Sequence, residues 1–452
     1  MGACCTRSYS PQVAVLRWAS ASPWQLILTA LTLVSFAVLA ASTAAHAQTF
    51  TVIHNFSGGL DGSEPSSGVT IDQAGNLYGS TFEGDAGTGT TYKLSNRNGG
   101  GWVLQPLLFF NNQSKGVIPY DRPIFGPNGS LYLSVGYGGV GPCQTYNGTG
   151  CGAVVNLQPP ITPPVSPLVM WLDTPLYKFT GGSDGGNPYS GDIIFDHAGN
   201  IYGTAFNGGT ANTSCPGGCG VVYELVHNSN GWTENVLYAF SGPDGSHPWA
   251  GLTFDQLGNL YGTTSTGGSS NFGTIFELSP SNGSWTLQTL RNFSGSDGAY
   301  PYAGLVFDAA GNMYGASTSM GPNAGGTAFE LSPNGSGGWT FSILYNFTGP
   351  NGGLYPGPVA NLAFDSQGNL YGTTHLDGAF NFGAVFKLTN TGSGWTYTSL
   401  HDFTAGVDGG DPRCNIAFDS HGNMYGTASE GGTGSPQNCV GACGVIFEIT
   451  PH

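Results

Sequence analysis

An eight-residue phrase returns along the chain: Asp, two variable residues, Gly-Asn, an aliphatic residue, Tyr and Gly. It begins at Asp72, Asp196, Asp255, Asp308, Asp365 and Asp419, with a worn copy, GPNGSLYL, from Gly126. The seven tyrosines, Tyr78, Tyr132, Tyr202, Tyr261, Tyr314, Tyr371 and Tyr425, are spaced by 54, 70, 59, 53, 57 and 54 residues. Such a period marks a propeller or solenoid, whose units bury their apolar faces only against one another.

Each unit holds four runs with strand composition. In the fourth they are Gly251-Leu-Thr-Phe-Asp255, Asn259-Leu-Tyr-Gly-Thr-Thr264, Gly273-Thr-Ile-Phe-Glu-Leu278 and Trp285-Thr-Leu-Gln-Thr-Leu-Arg-Asn-Phe293. They are β-branched and aromatic, and Gly, Asn, Asp, Pro and Ser bound them. The D-x-x-G-N segment is a tight turn, in which Asp bonds the backbone ahead and Gly supplies a positive φ. No sustained period of 3.6 residues follows residue 47, so helices are expected to be nearly absent.

Counting the runs predicts closure. Seven units carry the first three runs, but only six fourth runs follow them, ending at Phe110, Phe179, Phe240, Phe293, Phe347 and Phe403. The missing one lies at the start, as Gln48-Thr-Phe-Thr-Val-Ile-His-Asn-Phe56. An N-terminal strand that completes the last blade removes the exposed sheet edges. The expected fold is all-β: a seven-bladed β-propeller of four-stranded blades and 28 strands.

Residues 1–47 read as a secretory signal peptide: Arg7 and Arg17, an apolar stretch from Leu26 to Ala41, and Ala45-His46-Ala47 as the cleavage site. Residues 48–452 form the propeller, about 58 per blade. Loss of the two arginines takes the formal charge from −16 to −18. An acidic chain so poor in Lys and Arg is not expected to bind nucleic acid or anionic membranes. A secreted or periplasmic monomer, with no membrane span after cleavage, is expected.

Cys4 and Cys5 leave with the leader. Six of the remaining cysteines form close pairs in equivalent loops between second and third strands: Cys143 with Cys151, Cys215 with Cys219, Cys439 with Cys443. In an oxidising compartment these read as local disulfides. Zinc is the competing reading, and C-x3-C without a partner pair is a poor ligand set for it. Cys414 is left over, as a buried thiol or a redox site.

The unit F-D-x-x-G-N-L-Y-G-T, followed by a Gly-rich loop, G-x-x-F-E-L and W-T-x-x-x-L-Y-x-F, resembles the GloVer tandem repeat of secreted bacterial proteins. The resemblance runs from Thr51 to Ile449, and blade two departs from it at Gly126 and through Pro159 to Pro167. It implies an exported repeat protein of unassigned activity, often with a surface anchor, none of which is visible here. A weaker resemblance runs to kelch propellers, and the WD40 signature is absent.

Loops joining fourth to first strands and second to third strands open on one face, and there the unusual residues gather. Five carry D-G-x-x-P, beginning at Asp61, Asp184, Asp244, Asp297 and Asp408. The motif reads first as an Asx-type turn and second as a source of carboxylates for calcium; no other metal or cofactor is implied. The residue after the Pro at this place starts the innermost strand, and in five blades, blade two with its Pro119 included, it is Tyr120, Tyr189, Trp249, Tyr302 or Arg413. These residues, with His247, His375 and Asp411, are the candidate binding site, a ring of flat aromatics suited to sugar rings. No catalytic set stands out, although Asp411, Asp377 and Glu430 offer carboxylate pairs of the kind that cleave glycosides. The expected function is a non-enzymatic binding or adhesion module for glycans or surface proteins. The alternatives are a carbohydrate-active hydrolase or lyase, and a structural envelope protein.

Overall fold

The computed structural model describes residues 48–84, 88–97, 101–145, 148–160, 170–189, 191–349, 355–434, 439 and 443–451. The leader assigned to residues 1–47 lies outside them, as do residues 161–169 of the Pro-rich insertion. Seven antiparallel four-stranded sheets follow one another along the chain, with no helix among the described residues. The fourth is Thr253–Phe254, Leu260–Thr264, Thr274–Ser281 and Ser284–Asn292. Blade two adds a short hairpin, Gln144–Thr145 with Gly148–Thr149, that the repeat pattern does not announce.

Closure is as expected. The strand Thr49–Asn55 pairs antiparallel with Val445–Thr450, from Thr49 opposite Thr450 to Asn55 opposite Val445. With Met424–Ala428 and Ala417–Phe418 it completes the last blade.

The repeated phrase is a two-way clamp. Asp308 Oδ1 accepts the backbone N–H of Ala310 (2.9 Å) and of Asn312 (2.9 Å). Its Oδ2 accepts the Asn312 amide (2.8 Å) and the Tyr314 hydroxyl (3.1 Å). The Tyr314 ring meanwhile meets Phe364 of the next blade edge-on, with centroids 5.1 Å apart. Asp72, Asp196, Asp255, Asp365 and Asp419 hold their own tyrosines in the same way. Each tyrosine is buried in the apolar cluster of the following blade, Tyr425 in that of blade one.

The Gly after each tyrosine makes room on the same sheet. A Cβ at Gly315 would stand 2.7 Å from the Phe329 ring opposite it. In worn blade two both partners change together, with Leu133 facing Val155.

The outermost strands solve a parity problem. Each carries an aliphatic residue three positions before its Phe, as Leu290 before Phe293, and residues an odd number apart point to opposite faces of a regular strand. A β-bulge at the aliphatic residue restores the match. The register skips Leu107, Leu176, Leu237, Leu290, Leu344 and Leu400, and Ile53 in the closing strand. Both residues then enter one inter-blade core.

The three expected disulfides are formed: Cys143–Cys151, Cys215–Cys219 and Cys439–Cys443. Cys414 is a buried free thiol, its pKa pushed up to about 11 by burial. No helix among the described residues is long and apolar enough to cross a membrane.

Removing residues 48–56 exposes the edge of Val445–Thr450, so size-exclusion chromatography should show aggregation together with a lower melting temperature. A truncated chain that stays monomeric with unchanged melting contradicts closure. Asp308→Ala deletes a carboxylate with four hydrogen bonds and should cost about 1–3 kcal/mol in urea unfolding at pH 7. Burial acts to raise the carboxyls of Asp72, Asp308 and Asp365, but hydrogen bonds, led by the Asn side chain, outweigh it and hold them below the usual range. Their stabilisation is therefore present above about pH 4 and lost as pH falls through the folded values. The gap between wild type and Asp308→Ala should shrink at pH 2.5.

Candidate functional site

The D-G-x-x-P loops are self-capping turns. Asp297 accepts the Ser294 backbone N–H at 2.8 Å, and Asp61, Asp184, Asp244 and Asp408 accept from Ser57, Thr180, Ser241 and Thr404. Each also holds a side chain of the preceding outer strand: His54, Tyr177, Tyr238, Arg291 or His401. Among the described residues no group of three His, Cys, Asp or Glu side chains is placed to hold one metal ion.

Beyond each turn stands a strained residue. Glu64, Ile118, Asn187, His247, Tyr300, Tyr355 and Asp411, one per blade, all have φ between 53° and 62° and all precede a proline. A left-handed conformation is costly for a residue with a Cβ, and a following proline further restricts the backbone. Backbone hydrogen bonds to the preceding blade offset the cost. Glu64 N–H donates to Cys443 O (3.0 Å), Asn187 to Cys151 O (2.7 Å) and His247 to Cys219 O (2.7 Å). Ile118, Tyr300 and Asp411 donate to Thr88, Phe272 and Phe382 in the same way. The acceptor in three blades is thus a disulfide-bonded cysteine, which ties the disulfides to the site.

Three of these left-handed residues, Glu64, Tyr355 and Asp411, line a cavity of about 520 Å³ at the mouth of the ring, together with Tyr120, Trp249, Tyr302 and Arg413 that follow the prolines of other blades. A half-ring of aromatics forms one wall. Centroid separations are 5.0 Å for Phe82–Tyr120, Tyr120–Tyr189 and Tyr189–Trp249, and 5.3 Å for Trp249–Tyr302 and Tyr302–Tyr355.

The facing wall is charged. Arg413 Nε lies 2.9 Å from both Asp411 oxygens, and His375 Nε2 lies 3.0 Å from Asp411 Oδ1. His375 Nδ1 donates to the Tyr355 carbonyl at 3.0 Å, which fixes the ring. Burial acts to raise the Asp411 carboxyl, but His375 and Arg413 together hold it below its ordinary value. Glu64, on the same wall, goes the other way: burial first, then the Glu83 charge, raises it.

The floor is closed across the axis. Asp192 accepts from Arg122 Nε (3.0 Å) and Nη2 (2.8 Å), and from Asn415 Nδ2 (3.2 Å) in a blade well round the ring. Asn415 Oδ1 in turn accepts the Asn361 N–H (2.8 Å), and Asn361 Oδ1 the Gly304 N–H (2.6 Å). Between blades three and four the backbones touch, since a Cβ at Gly251 would stand 2.6 Å from the Asp192 carbonyl. Beside this plug Asp121 is only 2% exposed, with Ser134 as a side-chain hydrogen-bond partner. Burial, then the Asp192 charge, pushes its pKa well above the carboxylate range.

Of the eight residues singled out from sequence, Tyr120, Trp249, Tyr302, His375, Asp411 and Arg413 line the cavity. Tyr189 lies behind the lining, edge-on to Tyr120 and tilted against Trp249, with its hydroxyl against that of Tyr137. His247 also lies outside it, over the Phe206 ring at 4.6 Å and bonded to Thr266 at 2.8 Å. Glu430 lines the cavity, whereas Asp377 lies away from it, 3.3 Å from the Thr348 hydroxyl. Sequence reasoning missed Tyr355, because its loop lacks the D-G that flags five others; alignment on Pro356 finds it. The plug was missed too, although Arg122, Asp192, Asn361 and Asn415 all stand four residues before the turn position of their blades.

Asp121 generates a stability prediction. Its folded carboxyl keeps its proton above the unfolded value, so its contribution is fully present below about pH 4 and is lost as pH rises. Asp121→Asn should therefore raise the urea midpoint at pH 7, with a gain that vanishes toward pH 4. A gain independent of pH, or a loss at pH 7, contradicts the assignment.

Several solved structures resemble this one in architecture. A candidate 6-phosphogluconolactonase from Bacteroides uniformis is 15% identical over 75% of this chain and 84% of its own, with a TM-score of 0.46. The extracellular domain of a candidate one-component system from B. thetaiotaomicron is 12% identical over 89% of this chain and 40% of its own, with a TM-score of 0.48. A Dyadobacter fermentans protein of unknown function is 11% identical over 77% of this chain and 98% of its own, with a TM-score of 0.45. No activity or ligand carries over at such identities. No curated protein matches the chain in sequence. Residues 150–358 and 286–452 match the Gloeobacter/Verrucomicrobia repeat. With that repeat covering two thirds of its length, the chain belongs to the Gloeobacter/Verrucomicrobia repeat family, built here as a seven-bladed propeller.

Proposed function

We propose that the protein is an exported binding propeller whose cup receives carbohydrate. The observation that carries this reading is the division of one cavity into an aromatic wall and a hydrogen-bonding wall. A sugar ring has an apolar C–H face, which stacks on aromatics, and a rim of hydroxyls, which carboxylate, guanidinium and amide groups can hold in pairs. Trp249, Tyr302 and Tyr355 offer the first kind of surface, and Asp411, Arg413 and Asn415 the second. The strained residues arrive already fixed by inter-blade hydrogen bonds, so little ordering cost is left for binding. Three closed disulfides support an oxidising compartment outside the cytoplasm.

A second reading, cleavage of a glycosidic bond, draws on the opposite shifts of Glu64 and Asp411. Carboxyls whose environments push them apart are the usual signature of an acid–base pair. Binding is favoured because Asp411 already carries Arg413 and His375 on its oxygens.

A glycan array followed by calorimetry tests the proposal. Trp249→Ala and Tyr302→Ala should each weaken the bound glycan at least about tenfold, roughly 1.4 kcal/mol, without moving the melting temperature. Unchanged affinity in both variants contradicts the reading. Product release that is abolished by Glu64→Gln would replace binding with turnover.

A further inference from the structure

We infer that the cup takes the end of a carbohydrate chain, and that the terminal sugar is neutral or carries an amino group. This rests on the carbohydrate reading above and narrows it.

The first argument is topological. An open propeller channel would let a chain thread through, and a groove would let one lie across. Among the described residues the through route is blocked. The floor is the Arg122–Asp192–Asn415–Asn361 network, which links blades on far sides of the ring. It is backed by direct backbone contact at Gly251, and a Cβ at Gly68 would stand 2.8 Å from the Asn415 carbonyl. Among the described residues, the left-handed Glu64, Tyr355 and Asp411 border the cavity, and their loops are bonded to the neighbouring blades through the backbone N–H groups of Glu64, Gly357 and Asp411. A cavity of about 520 Å³ with this floor beneath it admits a ligand by its tip. Tyr120, Trp249 and Tyr302 stand only two residues before Arg122, Gly251 and Gly304 of the floor, so a ligand must reach down toward the floor to stack on them.

The second argument is electrostatic. Acidic side chains of Glu64, Asp192, Asp411 and Glu430 line the cavity, beside Asp121, whose buried carboxyl keeps its proton. The two guanidinium groups at hand are already engaged, Arg413 with Asp411 and Arg122 with Asp192. A uronate or sulfated terminus would bring a further negative charge into this set, where every Arg and His among the described lining residues already faces a carboxylate, at a cost that grows as water is excluded. An amino group meets carboxylates on one side and aromatic faces on the other, both favourable to a cation.

The experiment uses the chain without residues 1–47 and calorimetry on linear neutral oligosaccharides chosen from an array. Each is compared with three derivatives: its non-reducing terminal sugar oxidised to the uronate, the same sugar replaced by its amino analogue, and a polymer grafted onto that end. The inference expects the grafted chain to lose binding about a hundredfold or more and the uronate about tenfold or more. The amino terminus should bind as tightly as the neutral one or better. Grafted chains that bind within threefold of the free ones overturn chain-end recognition while the carbohydrate reading stands. Uronate termini that bind as tightly as neutral ones overturn the charge selectivity. Failure of every linear glycan to bind overturns the carbohydrate reading, and this inference with it.

Discussion

Each repeat tyrosine belongs to two blades at once, and most of the structure follows from that. In six of the seven the hydroxyl is held by the Asp of its own hairpin while the ring is an edge-on partner for the next blade; Tyr132, with Gly126 in place of the Asp, keeps the ring contact, to Phe195. A hairpin that rotated to relax one contact would lose the other. Repeated round the ring, the clamp fixes blade against blade without any long-range covalent link. The last tyrosine, Tyr425, packs into the cluster of blade one, beside Trp102. Because the closing strand reproduces even the bulge of the other outer strands, the seventh interface is chemically of the same kind as the other six. In an architecture where stability is a sum of neighbour terms, that last interface removes both free ends.

The two faces of the ring divide the labour. The D-x-x-G-N turns on one side are uniform and spend their polar groups on themselves. The loops on the other side carry strained residues before each proline, and the inter-blade hydrogen bonds that tolerate the strain also aim the side chains. Three of those bonds end on disulfide-bonded cysteines. The disulfides are therefore best understood as part of the mouth: Cys439–Cys443 sits directly behind Glu64, and Cys215–Cys219 behind His247.

Much of this was legible in the sequence, and the limits have physical causes. Blade number, closure and disulfide pairing follow from counting, because each depends on period and position alone. The pairing of Gly315 with Phe329, and of Leu133 with Val155, was present in the repeat but becomes meaningful only once strand register is known. The bulges were encoded as an aliphatic residue three before Phe, an odd spacing that looks like noise until the sheet is built. Site geometry was the least legible part. Equivalent positions must form a ring, and they do, but which members face the cavity depends on neighbours in other blades. Tyr189 is taken up by its contacts with Tyr120 and Trp249, and His247 by Phe206. The floor was invisible for the same reason: Asn415 meets Asp192 only because two sheets distant in sequence point at one axis.

Hydrogen–deuterium exchange with and without saturating glycan tests most directly whether the varied face is the working face. The account predicts added protection in residues 118–122, 247–251, 300–304, 357–361 and 411–415, which all reach the cup. It predicts none in the turns at 72–76, 255–259 and 308–312 on the opposite face. Protection confined to those turns, or spread evenly over both faces, would contradict it.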